Sequence, residues 1–373
     1  MPVLEFTSAL YLGLRHPSRS LRPWDRLSLG QPALIAEPPG AVATAAELAA
    51  LQGCEAAVLL PSTLHLFFDL AALFADGGDR AVYRDAGSYP IARWGAERAA
   101  SLGMPLYRFA HHDADALRRL LAGTAQRGRP PVVLADGFCP ACGRVAPLAD
   151  YLALVRRYGG LLVVDDTQAL GVLGAAPDAA APYGRGGGGT PRLAGLSGPD
   201  LLLGASLAKG FGVPVAALSG DAALLRRFRQ RSACRVHCSP PSVAVIHAAA
   251  RALAVNRSVG DALRHRLAGR TRRFRLGLGR LGVAADGGMF PAQVLRPLHG
   301  VDARRLHGEL RQRGIRSLLL RGSRAPRLGF LITADHATGE IDACVAALAA
   351  SLGPSVHQAH GPAPVARTQT CRA

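Results

Sequence analysis

Short apolar runs that alternate with helical patterns through the middle of the chain constrain its fold more than any other feature. Residues 57–60, 80–84, 131–135, 161–165, 201–205 and 215–219 read as buried strands. Between the third and fourth, Pro147 suits the first turn of a helix. Leu148, Tyr151, Leu152 and Val155 make its apolar face, and Gly159-Gly160 stops it. Strand, helix and strand repeated in this order predict an α/β fold with a mostly parallel central sheet flanked by helices. Ligands of such sheets collect beyond the carboxyl ends of the strands. Asp165 and Lys209 both fall at such ends.

The pattern changes after about Asp221. An Arg-rich helical stretch with Pro240-Pro241 inside leads to a strand region at 283–296. A helix near 302–313, strands at 315–320 and 328–333, and a last helix at 338–352 follow. This predicts a smaller α+β C-terminal domain. The expected organisation is an N-terminal segment (1–35), a large domain (36–225), a smaller domain (226–352) and a disordered tail (353–373). The run Gly184-Arg-Gly-Gly-Gly-Gly189 opens no helix and lacks a following Lys-Ser/Thr, so it reads as a surface loop rather than a phosphate cradle.

With 373 residues, 49% of them hydrophobic, the chain can bury a large core. No apolar run is long enough to span a bilayer and the N-terminus lacks the order of a signal peptide. The expectation is a soluble, cytoplasmic protein. The formal charge of +18 arises from 44 Lys+Arg against 26 Asp+Glu, mostly arginine. No basic cluster is interleaved with aromatics, so nucleic-acid binding is not expected. A basic surface does suit a polyanionic substrate such as a CoA thioester. Seven cysteines, an odd number, argue against a disulfide framework. Cys139-Pro-Ala-Cys142 and Cys234-Arg-Val-His237-Cys238 could together supply the four ligands of a zinc site. Free thiols and no metal are the expectation, because the spacing alone is weak.

A lysine amine condenses with an aldehyde once its site favours the neutral form. The product with pyridoxal phosphate (PLP) is an electron sink as long as the pyridine nitrogen stays protonated, which a buried carboxylate ensures. In the run Leu201-Leu-Leu-Gly-Ala-Ser206-Leu-Ala-Lys209-Gly-Phe-Gly212, Lys209 is the candidate amine. Ser206 is a candidate phosphate ligand, and Asp165 is the candidate carboxylate. Taken singly, Asp165 reads more readily as a turn cap and Lys209 as a surface lysine; their order and context favour the functional reading.

In this order, the chain resembles the α-oxoamine synthase branch of the fold-type I PLP enzymes. The resemblance runs through 6–17 (FTSALYLGLRHP), 108–121, Asp136-Gly137, Ala146-Pro-Leu148, 165–174 (DDTQALGVLG), 208–212 (AKGFG) and 324–336 (RAPRLGFLITADH). It implies a PLP-dependent transferase condensing an amino acid with an acyl-CoA or a similar acyl donor through a Lys209 Schiff base. It also implies a homodimer with shared active sites, in which His237 and Cys238 reach the neighbouring subunit's phosphate. Arg327 falls where the family binds the amino-acid carboxylate. Ser62, Thr63 and Leu64 fall in the phosphate-side segment. Several positions depart from the pattern: Tyr89 replaces the histidine stacked on the cofactor, and Gln168 and Pro140 replace a histidine and a serine at its phenolic oxygen. Ala9 replaces an asparagine. These departures keep open a changed reaction (aldolase, lyase or aminotransferase) and a non-catalytic PLP-fold protein.

Overall fold

The structure, a computed structural model, describes residues 3–77, 79–124, 128–321 and 325–352. The tail expected at 353–373, and Arg324 at the head of the C-terminal motif, lie outside the described residues. After a two-residue strand β1 (Leu4–Glu5) come helix α1 (Ala41–Gln52), β2 (Ala56–Leu60), α2 (Thr63–Ala75), β3 (Ala81–Asp85), α3 (Pro90–Ser101), β4 (Leu106–Phe109) and α4 (Ala114–Thr124). Next are β5 (Pro131–Asp136), a hairpin of β6 (Phe138–Cys139) and β7 (Arg144–Val145), α5 (Leu148–Arg157) and β8 (Leu161–Asp165). The short α6 (Thr190–Leu193), β9 (Leu201–Ser206) and β10 (Ala216–Gly220) complete this half.

Seven of these strands form one sheet in the order β2-β10-β9-β8-β5-β3-β4. β9, β8, β5, β3 and β4 are mutually parallel, and β10 runs antiparallel to both of its neighbours. All six expected runs are strands of this sheet, each within one residue at either end. The seventh, β4, is paired only with β3, is half-exposed and carries Arg108, so it lacks an apolar signature. Alternate side chains feed two cores. Val132, Val163 and Leu202 pack with α2 and α3 on one face, while Val133, Leu162, Val164 and Leu203 pack with α5 on the other. Burying one such Val or Leu contributes roughly 1.5–3 kcal/mol. Leu148, Tyr151, Leu152 and Val155 are all at or below 1% exposure, as the helical face predicts. Pro147 stands one position earlier than expected, at the N-cap of α5.

The rest of the chain is helix-rich: α7 (Ala222–Arg231), α8 (Ala233–His237), the 38-residue α9 (Val243–Arg280), α10 (Ala303–Gln312) and α11 (Thr338–Leu352). The prolines at 240–241 are not inside a helix, because Pro cannot donate to the ladder. The long helix starts after them, where Ser242 accepts a hydrogen bond from Val245 N. Strands β11 (Ala285–Asp286), β12 (Ala292–Leu295), β14 (Leu318–Leu320) and β15 (Arg327–Leu331) form a second, antiparallel sheet. The expected strand at 315–320 is divided, since β13 (Ile315–Arg316) pairs with β1 instead. That pairing draws the N-terminus in: Phe6, Tyr11 and Leu12 are buried beside Phe274, Phe290 and Phe330. Among the described residues no helix is long and apolar enough to cross a membrane.

Candidate active site

Parallel strands bring their carboxyl ends to one edge of the sheet, so β5, β8 and β9 deliver Asp136, Asp165 and Ser206 to the same place. A cavity of about 250 Å³ opens there. Thr63, Tyr89, Ile91, Asp136, Phe138, Pro140, Asp165, Thr167, Gln168, Ser206 and Lys209 line it. The structure therefore gathers most of the residues read from the sequence. Lys209 enters from the turn after β9, with Nζ 5.9 Å from the centre of the Tyr89 ring. Gly210 and Gly171 allow this turn to press against the loop after Asp165: a Cβ at Gly210 would lie 2.3 Å from Leu170 O.

Lys209 is the only lysine in the chain, all the other residues among the 44 Lys+Arg being arginine. A guanidinium is a poor partner for Schiff-base formation, so Lys209 is the one side-chain amine the chain offers for it. Among the described residues it makes no salt bridge. Burial lowers its pKa below the usual lysine value, against the opposing charges of Asp165 and Asp136. Burial raises the Asp165 carboxyl, against hydrogen bonds from Thr167 and the charge of Lys209. Its Oδ1 accepts from Thr167 N at 3.1 Å.

The first turn of α2 supplies the phosphate side. Ser62 is the N-cap residue, yet its hydroxyl does not cap the helix and instead meets His65 Nδ1 at 2.8 Å. The first amides of α2 are thereby left for an anion. Thr63 lines the cavity, whereas Leu64 is 47% exposed and outside the lining. Across the cavity, Ser206 N donates to Thr167 Oγ1 at 3.0 Å. A half-buried amine, a buried carboxylate on the neighbouring strand, a ring near the amine and a helix N-terminus without a side-chain cap suit an aromatic aldehyde phosphate.

The departures have physical consequences. Gln168 lines the cavity, but its Oε1 accepts from the buried Tyr11 hydroxyl at 2.9 Å. Pro140 lines it without a donor. Tyr89 precedes Pro90 at the N-terminus of α3 and is 55% exposed. Arg327 is outside the lining. Its Nη2 pairs with Asp286 at 2.5 Å, its Nε donates to Leu295 O at 3.1 Å, and Nη1 reaches Ala141 O at 3.4 Å, beside Pro140. His237 and Cys238, at the end of α8, are also outside the lining of this chain's cavity.

Sequence reasoning passed over Asp136, whose strand was ended one residue early at Ala135. Asp136 accepts the Tyr89 amide at 3.0 Å through Oδ2. Burial, and then the neighbouring Asp165 charge, push its pKa up to about 8. Thr167 and Tyr11 were also missed. The first stood inside the recognised motif, while the second reaches the site through a tertiary contact with no local signature.

An α/β sheet with a strand-end lysine and aspartate in one cavity defines a fold-type I PLP-dependent enzyme. The chain belongs to the aminotransferase class I and II family, which matches residues 25–348. A chain of Thermosynechococcus vestitus is 28% identical over 94% of this chain and 89% of its own length. The 8-amino-7-oxononanoate synthase of Halorhodospira halophila is 30% identical over 82% of this chain and 73% of that enzyme. A structure of SPT with its PLP internal aldimine superposes with a TM-score of 0.82 at 17% identity, covering 95% of this chain and 88% of that one. The resemblance to α-oxoamine synthases and the PLP cofactor are thus supported by independent comparisons.

Proposed function

We propose that this chain condenses an amino acid with an acyl-CoA or related acyl thioester, with loss of carbon dioxide. The observation that carries the reading is the shared cavity of Lys209, Asp165 and Ser206 in a chain homologous to 8-amino-7-oxononanoate synthases. When bound, PLP supplies the electron sink for a carbanion at the substrate α-carbon. Asp165 keeps a proton on the ring nitrogen, because a buried carboxylate favours the cationic partner. Lys209 carries the cofactor at rest. Its depressed pKa suits it to take and return a proton at the substrate α-carbon. Tyr89 covers one ring face. The Ser62, Thr63 and Leu64 backbone and the Ser206 hydroxyl hold the phosphate. Gln168 donates to the phenolic oxygen through the amide nitrogen that Tyr11 leaves free.

Arg327 binds the amino-acid carboxylate by exchanging it for Asp286 at the mouth of the cavity. His237 and Cys238 serve the phosphate of a second copy in a homodimer. Purified protein supplied with PLP, amino acids and acyl-CoA should release free CoA and carbon dioxide together. Aldehyde release or α-proton exchange without any CoA release would favour the changed reactions instead. Because Gln168 cannot titrate near neutral pH, that changed-reaction reading keeps a specific basis. Spectral shifts of the bound cofactor across a panel of amino acids identify the first substrate.

A further inference from the structure

Beside the cavity, beyond its lining, β3, the loop after β4 and the β6–β7 hairpin converge on four side chains that PLP chemistry does not use. The ligand atoms of His111, His112 and Cys142 all lie within 4.8 Å of one another. His111 Nε2 is 3.3 Å from Cys142 Sγ, and His112 Nδ1 is 3.8 Å from the same sulfur. In a tetrahedral zinc site the sulfur–nitrogen edge is roughly 3.5 Å, given bond lengths near 2.3 and 2.0–2.1 Å. The observed separations fall on either side of it.

The surrounding groups fit ligation as well. Asp85, 1% exposed, sits 2.6 Å from His111 Nδ1 and accepts from Gly87 N, His112 N and Tyr151 OH. A carboxylate on one imidazole nitrogen fixes the tautomer that turns the other outward, which is the usual outer shell of a metal-bound histidine. Consecutive extended residues face opposite ways. His112 breaks that alternation with φ at 56°, which places its ring 3.8 Å, centre to centre, from the His111 ring and on the same sulfur. Its Nε2 is buried without a hydrogen-bond partner among the described residues, so the ring is held there at a cost. Cys139 Sγ accepts from Cys142 N at 3.5 Å.

We propose that His111, His112 and Cys142 bind one thiophilic divalent cation of the zinc type, with Asp85 orienting His111 and Cys139 orienting Cys142. The ligand set differs from the sequence reading, in which the second pair came from 234–238; the fold supplies the two histidines in its place. The ion would tie the loop after β4 to the hairpin that carries Phe138 and Pro140 into the cavity.

The full-length protein, loaded with PLP and kept reduced, is incubated with zinc, freed of unbound ion and assayed for bound metal. The expected result is one equivalent per chain. Cobalt in place of zinc should show thiolate-to-metal charge-transfer absorption. Cys142→Ser should abolish that band. His112→Asn, which preserves a residue tolerant of positive φ, should weaken binding by more than the roughly 10–100-fold typical of outer-shell changes. Cys54→Ser, away from the cluster, should bind like wild type. Only trace metal on the wild type, or unaltered uptake and charge-transfer absorption in both Cys142→Ser and His112→Asn, overturns the proposal.

Discussion

Asp136 and Asp165 are register partners at the ends of adjacent parallel strands, so two carboxyl groups share one buried cavity with a single lysine. Burial raises both carboxyls, Asp165 as well as Asp136, and the Asp165 charge adds to the rise of Asp136 to about 8. Asp165 is the carboxylate proposed to face a cationic ring, while Asp136 accepts the Tyr89 amide hydrogen bond.

A pH dependence follows for the PLP-free protein. The folded chain retains the Asp136 proton up to about pH 8, whereas the unfolded chain loses it near the ordinary value of 3.8. The unfolded state binds fewer protons across that window, so this group's contribution to stability falls as pH rises through it. Asp136→Asn should therefore gain stability relative to wild type from about pH 4 to pH 8, by at most about 1.4 kcal/mol per pH unit. Urea midpoints at several pH values measure the difference, and parallel curves would contradict it.

In the proposed function Tyr89 acts through its ring face. Tyr89→Phe should retain cofactor affinity, while Tyr89→Ala should lose about 0.5–1.5 kcal/mol, or roughly two- to tenfold, by the stacking contribution. Equilibrium dialysis of PLP against the two variants separates stacking from a need for the hydroxyl.

Gln168 holds the buried Tyr11 hydroxyl as well as facing the cavity. Gln168→Ala strands that hydroxyl, so stability should drop by roughly 1–3 kcal/mol in addition to any loss of activity. The double variant Tyr11→Phe, Gln168→Ala should recover part of the stability and none of the activity.

Arg327 pairs with Asp286. Arg327→Ala should raise the KM for the amino acid by about tenfold or more, the cost of losing a charge-assisted contact, and leave PLP affinity unaltered. Equal effects on PLP binding would assign Arg327 to the frame rather than to substrate.

The large sheet was legible because its strands are buried on both faces and read as continuous apolar runs. The half-exposed strand Leu106–Phe109 carries no such signal. Lys209, Asp165, Ser206, Tyr89 and Gln168 were legible because motifs place them at strand ends or in the adjoining loops. Asp136 was lost to a one-residue error at a strand end, where alternation no longer separates strand from turn. Tyr11 and the Asp85, His111, His112 and Cys142 cluster come together only through tertiary packing, from segments remote in sequence. The pairing of Arg327 with Asp286 is likewise a contact between strands of the smaller sheet. Spacing along the chain encodes none of these.

The central claim is that Lys209 carries the cofactor, and the composition makes its test unambiguous. With a single lysine in the chain, borohydride reduction of the PLP-loaded protein should bleach its yellow colour. Peptide mass analysis should place the pyridoxyl group on Lys209, and Lys209→Ala should carry no such adduct. A wild-type protein that takes up no PLP, or one whose Lys209 stays unmodified after reduction, would contradict the account.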